Sequence, residues 1–167
     1  KTANSNLPEL YMVHGNTDDN DSTVGLAPFV DFVNRHGGDV TEDKTYYSKT
    51  LGGYKFIFLS TSEGRTDRNV TAAQLQWLDE ELADNEKNNN GKPVFVFMQY
   101  KMEGTVLSAV SEYITDMDGM ISVLKKYNNV YAFSGNHMAD IASYQSVFGG
   151  DTNLPVTINA GATSRTR

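Results

Sequence analysis

Three histidines, a run of acids and a pair of serines at the ends of apolar runs are the side chains through which this 167-residue chain can do chemistry, and it has no cysteine. Without cysteine there is no disulfide, no zinc–thiolate site and no thiol nucleophile. Asp18-Asp19-Asn20-Asp21 has the composition of a cation loop. An EF-hand, however, needs a glycine and a distal glutamate at fixed positions, and neither falls correctly. The run reads as a turn rich in Asn and Asp. His14 closes an apolar run, and His36 follows a helical pattern, where a cation favours the C-terminal dipole. Ser60 and Ser134 lack the Gly-x-Ser-x-Gly turn and an evident histidine partner, so serine hydrolase chemistry is not expected. Asn20-Asp21-Ser22 and Asn69-Val70-Thr71 match the N-glycosylation pattern, which short sequences often meet by chance.

The elements that position these residues alternate between strand and helix. Leu10–His14 is a short apolar run ending at Gly15 and reads as a first strand. Pro28 suits the first turn of a helix bearing Phe29, Phe32 and Val33, with Gly37 just past its end. Tyr46–Thr50 and Tyr54–Ser60 flank Gly52-Gly53, a hairpin signature. Thr71 and Gln74 form a capping box ahead of Leu75, Leu78 and Leu82 at helical spacing, and Trp77 is expected to be largely buried there. Asn85–Gly91 reads as a surface loop. Val94–Met98 is a continuous apolar run of the kind covered on both faces. A helix around Asp118–Tyr127 and strands at Val130–Ser134 and Val156–Ala160 complete an α/β, layered α+β order.

Bulk properties narrow the function classes. The length fits one domain, and no linker or internal repeat divides it. A net charge of −7 argues against a nucleic-acid binder, which carries a basic stripe. No apolar run approaches the about 18 residues of a membrane span. Lys1–Pro8 lacks the apolar core of a signal peptide.

Four blocks, in order, resemble the calcineurin-like metallophosphoesterase family. Leu7–Asp18 is similar to its strand and Gly-Asn-His-Asp loop, here Gly15-Asn16-Thr17-Asp18. Lys55–Ser60 followed by Gln74-Leu75-Gln76-Trp77-Leu78 resembles a strand and its "QlqWL" helix. Lys92–Tyr100 resembles "kPvfvf-HhP", with Gln99 in place of the histidine. Val130–Asp140 resembles a strand ending in Gly-His-x-His, here Gly135-Asn136-His137-Met138. The family implies a sandwich of mixed β-sheets flanked by helices. It also implies two divalent metals (manganese, iron or zinc) that activate a water and neutralise phosphate oxygens.

The resemblance maps the site onto Asn16, Thr17, Asp18, Gln99, Asn136, His137 and Met138. Asn16 matches the family's asparagine ligand and is the one metal-ligand position retained. The histidines expected at Thr17, Gln99, Asn136 and Met138 are replaced, and His137 lies between two ligand positions, facing the other way on extended chain. The family's Asp-x-His strand and Gly-Asp loop belong upstream of these blocks, so the chain reads as a partial domain lacking the N-terminal strands. No cofactor is expected for it as it stands. A degenerate, inactive phosphoesterase domain is the leading reading. The alternatives are an active enzyme whose missing N-terminal half comes from a partner chain, an engineered or inactivated fragment, and a non-catalytic surface or assembly module. An exposed central strand edge also invites self-association.

Overall fold

Gly52 and Gly53 both take positive φ (59° and 81°), as a two-residue hairpin turn requires, and fold strand β1 (Tyr47–Leu51) back on β2 (Tyr54–Phe58). This computed structural model describes residues 9–15, 25–60, 68–107, 113–136, 142 and 145–160. Helix α1 (Ala27–Arg35) opens with proline in its first turn and ends just before Gly37, where φ is 79°.

Helix α2 (Ala72–Asn88) is capped by Thr71, whose hydroxyl accepts from Gln74 N at 3.2 Å. The other half of the expected capping box does not form. The Gln74 amide instead holds Ser60, accepting from its N–H at 2.8 Å and donating to its C=O at 2.7 Å. The helix also runs through residues expected in the loop. Asn85 lies inside it, buried, and donates to Lys92 O at 2.7 Å, which closes the turn into the next strand.

That strand, β3 (Val94–Met98), and later β4 (Val130–Ser134) and β6 (Val156–Asn159) run parallel to β2. A two-residue β5 (Val147–Phe148), too short to show as a pattern, pairs antiparallel with β6. The result is one six-stranded mixed sheet in the order β1-β2-β3-β4-β6-β5, a layered α/β arrangement. Helix α3 (Met117–Leu124), capped by Asp116 on Gly119 N at 2.9 Å, lies beside α2. The approach is close: a Cβ on Gly119 would sit 2.6 Å from Leu75 Cδ1, so that side chain would have to shift.

Strand alternation divides the sheet into unlike faces. Ile57, Val94, Val96, Met98, Val130 and Ala132 are buried in one cluster with Leu75, Leu78 and Leu82 of α2 and Met120, Val123 and Leu124 of α3. Lys55 reaches over the rim of this face to Glu81 and Asp84 at 2.9 and 2.7 Å. Its burial opposes the charge, but the two carboxylates outweigh that and raise its pKa. The opposite face is aromatic. Phe58, Phe97 and Phe133 stack across three strands with centroids 5.4 and 4.9 Å apart, flanked by Phe56, Phe95 and Tyr131. Among the described residues, helix α1 packs on its β1–β2 side through Phe29 and Val33, together with Tyr11, Met12 and Val13. Phe56, Phe95, Phe97, Tyr131 and Phe133 are left half-buried.

Two expectations are corrected here. Trp77 is half-buried, because Leu75, Leu78 and Leu82 take the inner stripe of α2 and the indole packs sideways on Tyr46 at 4.8 Å. Leu10–His14 forms no strand: an apolar run becomes one only beside a ladder partner, and β1 already forms that edge of the sheet. Tyr47 is one of the side chains that tie the segment down. Tyr47 Oη accepts from Met12 N at 3.0 Å and donates to Met12 O at 2.9 Å.

Tyr47→Phe should therefore cost roughly 1–3 kcal/mol, because both Met12 groups lose their partner. Burial pushes the Tyr47 phenol up to about 12 from an ordinary 10.0. A raised folded pKa means that this stabilisation is complete below pH 10 and is lost as pH climbs through about 12. Urea midpoints across the alkaline range should fall less steeply in Tyr47→Phe. Tyr127, also raised to about 12 by burial and Asp79, keeps part of the slope. An unchanged alkaline slope would contradict the assignment.

Candidate functional site

The carboxyl ends of β3 and β4 are drawn together by the backbone itself. Gly135 N donates to both Met98 O (3.1 Å) and Gln99 O (3.0 Å), one residue past the strand on each side. Asn136 follows in a left-handed conformation (φ 63°), which asparagine tolerates better than most residues. Its side chain turns back to β3, and Gln99 Nε2 donates to Asn136 Oδ1 at 3.3 Å. Two positions 37 residues apart, picked out by separate motifs, thus meet as a pair of primary amides. The other expected site positions, Asn16, Thr17, Asp18, His137 and Met138, lie outside the described residues.

A cavity of about 270 Å³ opens at these strand ends, walled by Phe97, Phe133, Ser134, Gln99, Asn136 and Val13 among others. Crevices beyond the carboxyl ends of parallel strands are where open α/β sheets take ligands. None of the described residues that line it is charged. Ser134 is buried and its hydroxyl has no hydrogen-bond partner among the described residues; in register beside it on β6, buried Asn159 has a side-chain amide equally without one there. Three unmet polar atoms at one sheet end are a concentration that most folds avoid.

This donor set does not fit a two-metal centre. Amide oxygens and a hydroxyl are neutral, and cannot balance a pair of divalent cations or hold a hydroxide between them. Among the described residues no group of three His, Cys, Asp or Glu side chains converges.

Sequence reasoning missed one contact. His14 Nδ1 lies 3.0 Å from Ser60 Oγ, which also accepts from Thr45 Oγ1 at 2.6 Å. Ser60 therefore does have a histidine neighbour, from a segment 46 residues away that no local pattern connects to it. Both side chains are buried, and the His14 ring edges against Phe29 at 5.3 Å. A nucleophile must reach its substrate, so this pair packs the segment onto the sheet.

A second cluster is structural by the same test. Lys101 is 1% exposed and donates to Leu107 O at 2.6 Å, so it pins the loop after β3. Burial lowers its pKa.

No family model matches the chain, and no curated protein matches it. No described helix is long and apolar enough to cross a membrane.

Proposed function

We propose that this chain carries a degenerate calcineurin-like metallophosphoesterase scaffold that does not hydrolyse phosphoesters as it stands. The observation that supports the reading is the Gln99–Asn136 contact at 3.3 Å across the ends of β3 and β4. The motif correspondence assigns both positions to metal-binding histidines. Such ligands must lie side by side to share a dinuclear centre, and their replacements do.

The aromatic face favours a companion reading, that a further β-layer completes the domain. Parallel strands with apolar residues on both sides are stable when both faces are covered. Helices cover one face here, and flat rows of rings make the other. A sheet stacked about 10 Å away suits such a surface. In this reading the layer is the N-terminal half of the sandwich, from a partner chain or an adjoining segment, and an uncovered face drives self-association.

The gene tests this reading directly. The codons ahead of Lys1 should encode an Asp-x-His strand and then a Gly-Asp loop. An upstream sequence without both, in a protein that has no separate partner supplying them, would remove the basis for the family reading.

A further inference from the structure

At the opposite end of the sheet from Gln99 and Asn136, two loops face each other across a second cavity. One loop joins α3 to β4 and the other joins β5 to β6, so both lie at the amino ends of the parallel pair β4 and β6. The space between them is about 340 Å³. Ligand pockets span roughly 300–1,000 Å³, so this one suits a single small ring. The β5–β6 loop is fixed by its own backbone. Gly150 takes φ 81°, and a Cβ there would sit 3.0 Å from Val156 N, so the loop folds back closely on β6. Asp151 Oδ1 accepts from Asn153 N at 2.8 Å and from Leu154 N at 2.9 Å, and Asp151 N donates to Leu154 O at 3.0 Å. Those bonds order the loop and leave its side-chain tips uncommitted. Among the described residues, the side chains of Thr152 and Asn153 hold no hydrogen bond, and across the cavity those of Lys125 and Asn128 hold neither hydrogen bond nor ion pair. Tyr127 and Leu154 supply apolar wall, and the Tyr127 ring is held in place by its hydroxyl, which donates to Asp79 Oδ1 at 2.7 Å.

These groups narrow the ligand class. Lys125 and Asp151 bring opposite charges to the lining, so the cavity has no net field to hold a phosphate or a free cation. The Asp151 charge is also shared with two N–H groups of its own turn. What remains is two amides and a hydroxyl, each offering a donor beside an acceptor. A neutral ring bearing several hydroxyls matches that set, because every hydroxyl both donates and accepts. Its C–H faces match Tyr127 and Leu154. We propose that this cavity binds a single hexopyranose unit, whose hydroxyls bond to Asn128, Thr152 and Asn153 and to Lys125 at the rim. The site is independent of the phosphoesterase reading: it lies at the other end of the sheet and draws no bond from Gln99 or Asn136.

The test is titration of the full chain with D-glucose, D-galactose and D-mannose, with inorganic phosphate and glycine as charged comparisons, read by backbone amide shifts. At least one sugar should shift resonances of residues 124–131 and 149–156 saturably, with a dissociation constant in the millimolar range. Resonances of residues 97–99 and 133–136 should stay in place. Asn128→Ala and Asn153→Ala should each weaken the binding about fivefold, the loss expected for one neutral hydrogen-bonding side chain. Thermal midpoints of both variants should stay close to wild type, since neither side chain holds another bond in the fold.

No saturable shift with any of the three sugars up to about 100 mM would overturn the proposal, as would sugar binding indifferent to both substitutions. Saturable shifts at the same residues with phosphate or glycine, and none with the sugars, would also overturn it and assign the cavity to a charged ligand.

Discussion

Gln74→Leu should lower the unfolding free energy by about 4 kcal/mol, one of the largest losses available to a single polar residue in this chain. The amide is 2% exposed and serves the N–H and the C=O of Ser60 at once. Leucine fills the same volume but leaves both backbone groups buried without that partner. Each orphaned group costs roughly 1–3 kcal/mol. The loss also unhooks the end of β2 from the first turn of α2, where Thr45 and His14 gather on the same serine. Denaturant unfolding should show it against Gln76→Leu, an exposed position of the same helix that should shift stability by no more than about 0.5 kcal/mol. Equal small changes at both positions would show that Ser60 is satisfied by other means.

The second large effect concerns association. At micromolar concentration and above, the isolated chain should sediment as dimers or larger species, because half-buried Phe95, Phe97, Tyr131 and Phe133 form one continuous apolar surface. Phe95→Lys with Val156→Lys places two charges on that surface, on β3 and β6. It should return the chain to monomer while leaving the helix-covered face untouched. Light scattering after size exclusion reads the outcome. A wild-type chain that remains monomeric at about 100 μM would contradict the need for a covering layer.

Much of this architecture is legible in residue patterns because local and tertiary preferences agree there. Gly52-Gly53 can turn only one way between two β-rich runs, and the Thr71 cap with leucines at helical spacing fixes α2. The runs at Val94 and Val130 emerge as adjacent parallel strands whose register ends at Met98 and Ser134, just ahead of the side-chain contact between Gln99 and Asn136. What escaped notice depended on contacts distant in sequence. Gln74 looks like a cap residue, yet its amide serves Ser60. Asn85 looks like the start of a polar loop, yet it is buried where the chain turns toward Lys92. Leu10–His14 has strand composition without a neighbouring strand to pair with. The sidedness of the sheet was half-visible: the alternation of small and aromatic residues in Val94–Met98 shows that its faces differ, but not which one the helices take.

We propose above all that these strand ends do not support two-metal phosphoester hydrolysis, and turnover measured alongside bound metal tests this most directly. Protein purified without chelator should carry no stoichiometric manganese, iron or zinc. It should hydrolyse neither a chromogenic phosphate monoester nor a diester above background when those metals are supplied. Histidine restored at Thr17, Gln99, Asn136 and Met138 should not rescue the reaction, because four neutral imidazoles add no carboxylate to balance two divalent cations. Neutral amides cannot replace the hydration of two cations or support a metal-bound hydroxide. The account predicts a flat assay and a metal-to-protein ratio near zero. Metal near one or two equivalents, with turnover that a chelator abolishes, would contradict it and would reassign the ligands around His137.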